Sequence, residues 1–173
     1  MKRRNWLAAS VAVGAGLAGA GWAWWRHRPV AAQPAAVAGL WQQSWDDPNG
    51  GSIAMAAFRG QPLLLNFWAT WCPPCVEELP MLDAFHQQFR AQGWQVLGLA
   101  VDQPSAVRRF LGRQPLSFPV GLAGLDGTEL SRQLGNPNGG LPFSVLIGRQ
   151  GQLLERKVGQ LKAADLERWR QLA

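Results

Sequence analysis

Cysteine is almost missing from this chain. Cys72 and Cys75 are the only two in 173 residues, and histidine is as scarce, with His27 and His86 alone. A structural zinc site takes about four ligands, and with no further cysteine and two scattered histidines the count does not reach it. A purely structural disulfide is no better supported, because a bridge between residues this close closes too short a loop to stabilise much. No internal repeat is visible, which excludes solenoids and arrays.

Acidic residues are also in deficit, 11 against 17 basic ones, for a formal charge of +6. Lys2, Arg3, Arg4, Arg26 and Arg28 supply five of the seventeen, leaving twelve bases against eleven acids in the rest of the chain. The body is therefore close to neutral, which argues against a nucleic-acid surface.

Charge of either sign is absent from WLAASVAVGAGLAGAGWAWW, residues 6–25. A run of this length matches a membrane-spanning helix, and Trp22, Trp24 and Trp25 suit a membrane interface. Lys2, Arg3 and Arg4 would remain cytoplasmic and send the rest of the chain outward. The same segment also reads as a cleaved signal peptide, since Ala18-Gly19-Ala20 and Ala36-Val37-Ala38 have the small-x-small form. Arg3-Arg4-Asn5-Trp6-Leu7 has the form of a twin-arginine export signal. Each reading exports the body. Residues 1–28 are thus an anchor or signal, 29–39 a Pro- and Ala-rich linker, and 40–173 the folded domain. With 47% hydrophobic residues, the chain can bury one full core.

Within that domain short apolar runs alternate with helical patterns. PLLLNFW (62–68) and WQVLGLAVD (94–102) read as strands buried on both faces. The segment from the cysteines to about Gln92 and PSAVRRFLGR (104–113) read as helices, the latter with Val107, Phe110 and Leu111 inward. FSVLIG (143–148) and QLLERKV (152–158) flank Arg149-Gln150-Gly151 and predict an antiparallel hairpin. LKAADLERWRQLA (161–173) closes as an amphipathic helix with Leu161, Leu166, Trp169 and Leu172 or Ala173 apolar. A β-α-β unit followed by a hairpin and a helix makes the fold class α/β, a mixed sheet flanked by helices.

The two cysteines sit where thiol chemistry is favoured. Cys72 ends a strand and opens a helix, and helix N-termini present unpaired N–H groups that stabilise a thiolate. With Cys72 at the N-cap, Pro73 and Pro74 take the first two helical positions, where a missing N–H costs nothing. Pro74 nevertheless removes one donor from the reach of the sulfur. A thiolate stabilised less in this way favours the disulfide and makes the dithiol a better reductant. The reading that remains is a redox pair, Cys72 attacking and Cys75 resolving.

A proton acceptor is legible one turn further on. At 100° per residue Glu78 shares an arc with Met81, Leu82, Phe85 and Phe89, while Glu77 points elsewhere. A carboxylate on that apolar arc should have a raised pKa and exchange a proton with Cys75. A helix-dipole role and a kink at Pro80 are the competing account. Trp68 reads as core; Trp71, beside Cys72, reads as exposed and in contact with substrate.

FWATWCPPCVEELP (67–80) resembles the active-site strand and helix of thioredoxin-fold proteins, in particular the membrane-anchored, periplasm-facing branch typified by TlpA and ResA, over roughly residues 40–173. The resemblance implies a central mixed sheet flanked by helices, with an N-terminal β-hairpin extension that SWDDPNGGSIAM (44–55) could supply. It implies a thiol:disulfide oxidoreductase with no cofactor and no metal, acting as a monomer. It also implies a cis-proline at Pro142, packed beside the dithiol, with the Leu141 backbone meeting the substrate chain. Trp71, Pro73, Pro74, Leu141 and Pro142 are then the substrate-contacting set. Expected partners are disulfide-containing exported proteins, such as apocytochrome c or copper-site assembly proteins, and a membrane thiol carrier of the DsbD or CcdA type as electron donor. One position departs from thioredoxin, whose strand carries a buried Asp six residues before the first Cys. Here that residue is Asn66, and an amide cannot take the proton. A metallochaperone or binding role without turnover stays open. A peroxidase is less well supported, because its P-x-x-x-T-x-x-C pattern would need Pro and Thr where the chain has Leu65 and Ala69.

Overall fold

In a computed structural model of the chain, residues 34–173 are described. The uncharged run 6–25 and its anchor or signal role lie outside the described residues. Among those described, no helix is long and apolar enough to cross a membrane.

Every residue of strand β3 (Leu63–Trp68) is buried, as its unbroken apolar pattern requires. Strand β4 (Gln95–Ala100) pairs with it in parallel, Leu63 opposite Gln95 and Trp68 opposite Ala100. On its other side β6 (Phe143–Ile147) pairs antiparallel, with Asn66 opposite Ser144. β5 (Val120–Leu122) runs parallel to β4. β1 (Ser44–Asp46) and β2 (Ser52–Ala54) form the expected hairpin and dock antiparallel on β5. β7 (Leu153–Val158) completes the second hairpin with β6. The seven-stranded order is β2-β1-β5-β4-β3-β6-β7.

Alternate residues of these strands face opposite sides. One face packs Leu64, Trp68, Val96, Ala100 and Leu146 under helices α2 (Pro73–Phe89), α3 (Pro104–Leu111) and α5 (Ala163–Arg170). The other packs Leu63, Leu65, Phe67, Leu97 and Val145 against Leu40, Met55, Phe58 and Leu134. α1 (Pro34–Leu40) and α4 (Asp126–Gln133) belong to this second side through Val37 and Leu130.

Two local expectations are adjusted, and two elements went unforeseen. Residues 34–39, read as linker from their Pro and Ala content, are helical, and the helix ends on the buried Leu40. β5 and α4 carry no pattern that revealed them. At the C-terminus it is Ala173 that packs on the core, while Leu172 is 48% exposed.

β3, β4 and β5 run in parallel, so their C-terminal ends share one edge of the sheet. The loops leaving that edge carry the sulfur chemistry.

Candidate active site

Cys72 leaves β3 through a short turn in which its amide donates to the Ala69 carbonyl. That turn is fixed from the next strand. The Thr70 amide and hydroxyl both donate to Asp102 Oδ2, at 2.8 and 2.6 Å, tying the loop to the end of β4. Trp71 is thereby held outward, 66% exposed.

Cys72 is the N-cap of α2, with proline at the first two positions and no side-chain cap hydrogen bond to its sulfur. Its carbonyl accepts from the amides of Cys75 and Val76, which closes the first turn without either proline. The two sulfurs are joined in a disulfide, with 5.3 Å between the Cα atoms. Cys72 retains 5% of its surface and Cys75 none, so an incoming group meets Cys72 first.

Glu78 lies one turn beyond Cys75, 1% exposed, on the face of α2 that also buries Leu79, Leu82 and Phe85. Its carboxylate accepts from Asn66 Nδ2 at 2.7 Å and from the Leu161 amide at 2.6 Å. Burial is the largest influence on it and lifts its pKa from 4.5 to about 7; the Leu161 and Asn66 hydrogen bonds and the charges of Lys157 and Lys162 pull the other way. A carboxylate poised near neutrality can take up or release a proton at ordinary pH. Glu77 is exposed and meets only Gln160 Nε2, at 3.4 Å.

The third part of the site is the loop before β6. Leu141–Pro142 is a cis peptide bond. Leu141 packs against the same apolar cluster as Cys72 and Cys75. Asn136, buried in the loop ahead, donates from Nδ2 to the Gly140 carbonyl at 2.9 Å and so shapes the approach to Pro142. Behind it, the Gly159 amide donates to the Pro142 carbonyl at 2.8 Å. The β7–α5 connection therefore touches Pro142 with one amide and Glu78 with another.

Pro73 is exposed and Pro74 half-buried at the helix start. Trp68 is fully buried and packs at a tilt against Phe110, with ring centroids 5.3 Å apart, as a core residue should. Among the described residues no cluster of His, Cys, Asp or Glu could hold a metal ion.

Residues 42–169 match the Redoxin family. The chain belongs to that family. Thiol-disulfide oxidoreductase ResA of Bacillus cereus is 32% identical over 123 residues, covering 70% of this chain and 68% of that one. A solved thiol:disulfide interchange protein of the thioredoxin family from Chlorobium tepidum superposes with a TM-score of 0.66 at 29% identity, covering 76% of this chain and 92% of that one. StoA of Bacillus subtilis, at 24% identity and a TM-score of 0.60, shares the fold. The protein is a thiol:disulfide oxidoreductase of the ResA type with a thioredoxin-like fold.

Several residues of the site had no role assigned from sequence. Asn66 stood out only as a departure, and Ser144, Asn136 and Asp102 not at all. Asn66 and Ser144 did leave a signal, each being a lone polar residue inside an otherwise apolar strand. The Leu161 contact is made by backbone and leaves none.

Proposed function

We propose that this protein is a membrane-tethered, periplasm-facing reductase of disulfides in exported proteins. The observation that carries the reading is the Cys72–Cys75 pair at the start of α2, with only the first sulfur accessible and no cap hydrogen bond to hold it as a thiolate. A thiolate left without that bond is the less stabilised form, which favours handing electrons on.

In the proposed cycle the Cys72 thiolate attacks one sulfur of the target disulfide, giving a mixed disulfide and a target thiolate that takes a proton from solvent. Cys75 passes its proton to Glu78 and attacks the Cys72 sulfur. The second target thiolate leaves and is protonated in turn. Two electrons have moved to the target, and Cys72–Cys75 is again a disulfide. Trp71, Pro73, Pro74 and the Leu141–Pro142 backbone border the approach and are assigned to holding the target chain. A dithiol donor must return the two electrons, and a membrane thiol carrier of the DsbD or CcdA type fits an anchored domain. Apocytochrome c and copper-site assembly proteins are the proposed targets.

Reduction of insulin disulfides by the dithiol form tests turnover, and Cys75→Ser should accumulate a mixed disulfide through Cys72. Absence of both would leave a binding role in place of the reductase. A reduction potential of the pair above that of its exported targets would reverse the direction of transfer.

A further inference from the structure

Asn66 has an unfinished hydrogen-bond inventory. Its Nδ2 donates to Glu78 Oε1 at 2.7 Å and to Ser144 Oγ at 2.9 Å, while its Oδ1, also buried, has no partner. All three residues are sealed, with Asn66 and Ser144 at 0% exposure and Glu78 at 1%. The cross-strand register sets Asn66 directly opposite Ser144, so the two side chains share one face of the sheet, beneath α2.

This arrangement suits only an ionised Glu78. Both of its partners, Asn66 Nδ2 and the Leu161 amide, are donors, so a protonated carboxyl would find no acceptor for its O–H. The reverse orientation of the Asn66 amide is disfavoured, because it would carry both N–H groups into the buried place where Oδ1 has no partner. The Ser144 hydroxyl oxygen, which accepts from the same Nδ2, holds the amide with its N–H toward the carboxylate.

We propose that Asn66 and Ser144 are a positioning pair for Glu78, in which the Ser144 hydroxyl fixes the Asn66 amide with its N–H toward the carboxylate and so favours the ionised form. The inference rests on the reading of Glu78 as the proton acceptor for Cys75, and assigns to Asn66 the orientation of that carboxylate. The groups facing Glu78 are then Asn66 from β3, Lys157 from β7, and Leu161 and Lys162 from the β7–α5 connection; Cys75 precedes it by one turn on its own helix.

The direction of the effect follows from what holds the amide N–H toward the carboxylate. Removing the Ser144 hydroxyl strands one Asn66 N–H and releases the amide from that orientation, so its donation to the ionised Glu78 weakens. Unpaired buried N–H groups are poorly tolerated. Ser144→Ala should therefore raise the Glu78 midpoint, Asn66→Ala should raise it further, by about one pH unit or more, and Ser144→Thr should leave it near the wild-type value.

The test is the 13C carboxyl titration of the oxidised full chain labelled at glutamate, with the Glu78 resonance assigned by its loss in Glu78→Gln. Upward shifts in Ser144→Ala and Asn66→Ala, with recovery in Ser144→Thr, support the pair. A wild-type midpoint in Ser144→Ala overturns it, even where Asn66→Ala does not fold. Thiol titration of reduced Glu78→Gln separates the two readings. If the thiols titrate unchanged there while the Glu78 midpoint moves as expected, the proton-transfer reading fails and the positioning pair stands.

Discussion

Pro74 occupies the second position of α2, where any other residue would offer an N–H to the Cys72 sulfur. Restoring that donor is the most direct way to ask how much the prolines set the chemistry. Pro74→Ala should lower the Cys72 pKa by about one unit, the order expected of a single cap hydrogen bond to an ionised group. The same change should move the pair toward oxidising behaviour, since a stabilised thiolate favours the reduced form. Alkylation rate against pH measures the first effect and equilibration with a glutathione buffer the second. An unchanged thiol titration would remove the prolines from the account. The neighbouring Pro73 has no such consequence, because an N-cap side chain reaches the second and third N–H groups and not the first.

At the scale of elements, the hairpin β1–β2 is held by an unusually close approach. A Cβ built on Gly121 would lie 2.9 Å from Trp45 Cβ and 3.0 Å from Leu99 Cδ2. The contact to Trp45 is near its backbone and cannot swing away. Gly121→Ala should thus push β1 off β5 and cost about 1–3 kcal/mol, the usual penalty for overpacking. Hydrogen exchange should show it as lost protection confined to β1 and β2, with β3 and β4 unaffected. Smallness serves in the same way at α4, where Gly127 and Ser131 are the residues turned to the interior and a Cβ on Gly127 would meet Ala123 Cβ at 2.7 Å. That is why α4 escaped sequence reading: a helix docked by glycine, serine and the single apolar Leu130 has no apolar stripe to detect. β5, at three residues, is too short to carry a pattern. β3, β4 and α2 were legible because apolar runs and a proline-marked helix start are strong local signals. The Asn66–Ser144 register was not, since it depends on two strands far apart in sequence meeting in one alignment.

The whole molecule carries the cost of the buried carboxyl. Folded, Glu78 holds its proton up to about pH 7, whereas the unfolded chain gives it up near 4.5, so the folded state binds more protons between those values. The stabilisation this represents is complete below the unfolded pKa and is lost as pH rises through the folded one. Its size is about 3 kcal/mol at most. Urea unfolding of the oxidised protein across that range should show the wild type weakening relative to Glu78→Gln as pH rises from 4.5 to above 7. Parallel curves for the two proteins would mean the carboxyl is hydrated in the folded state.

The sheet order has one last consequence. It ends on one side in β2, three residues long, and on the other in β7, which carries Glu155, Arg156 and Lys157 in succession. Neither edge is an inviting template for another chain, since short strands and charged borders both discourage backbone pairing and aggregation. A protein that grips its clients by a transient sulfur bond is thereby spared from also binding them by strand addition, and can let them go.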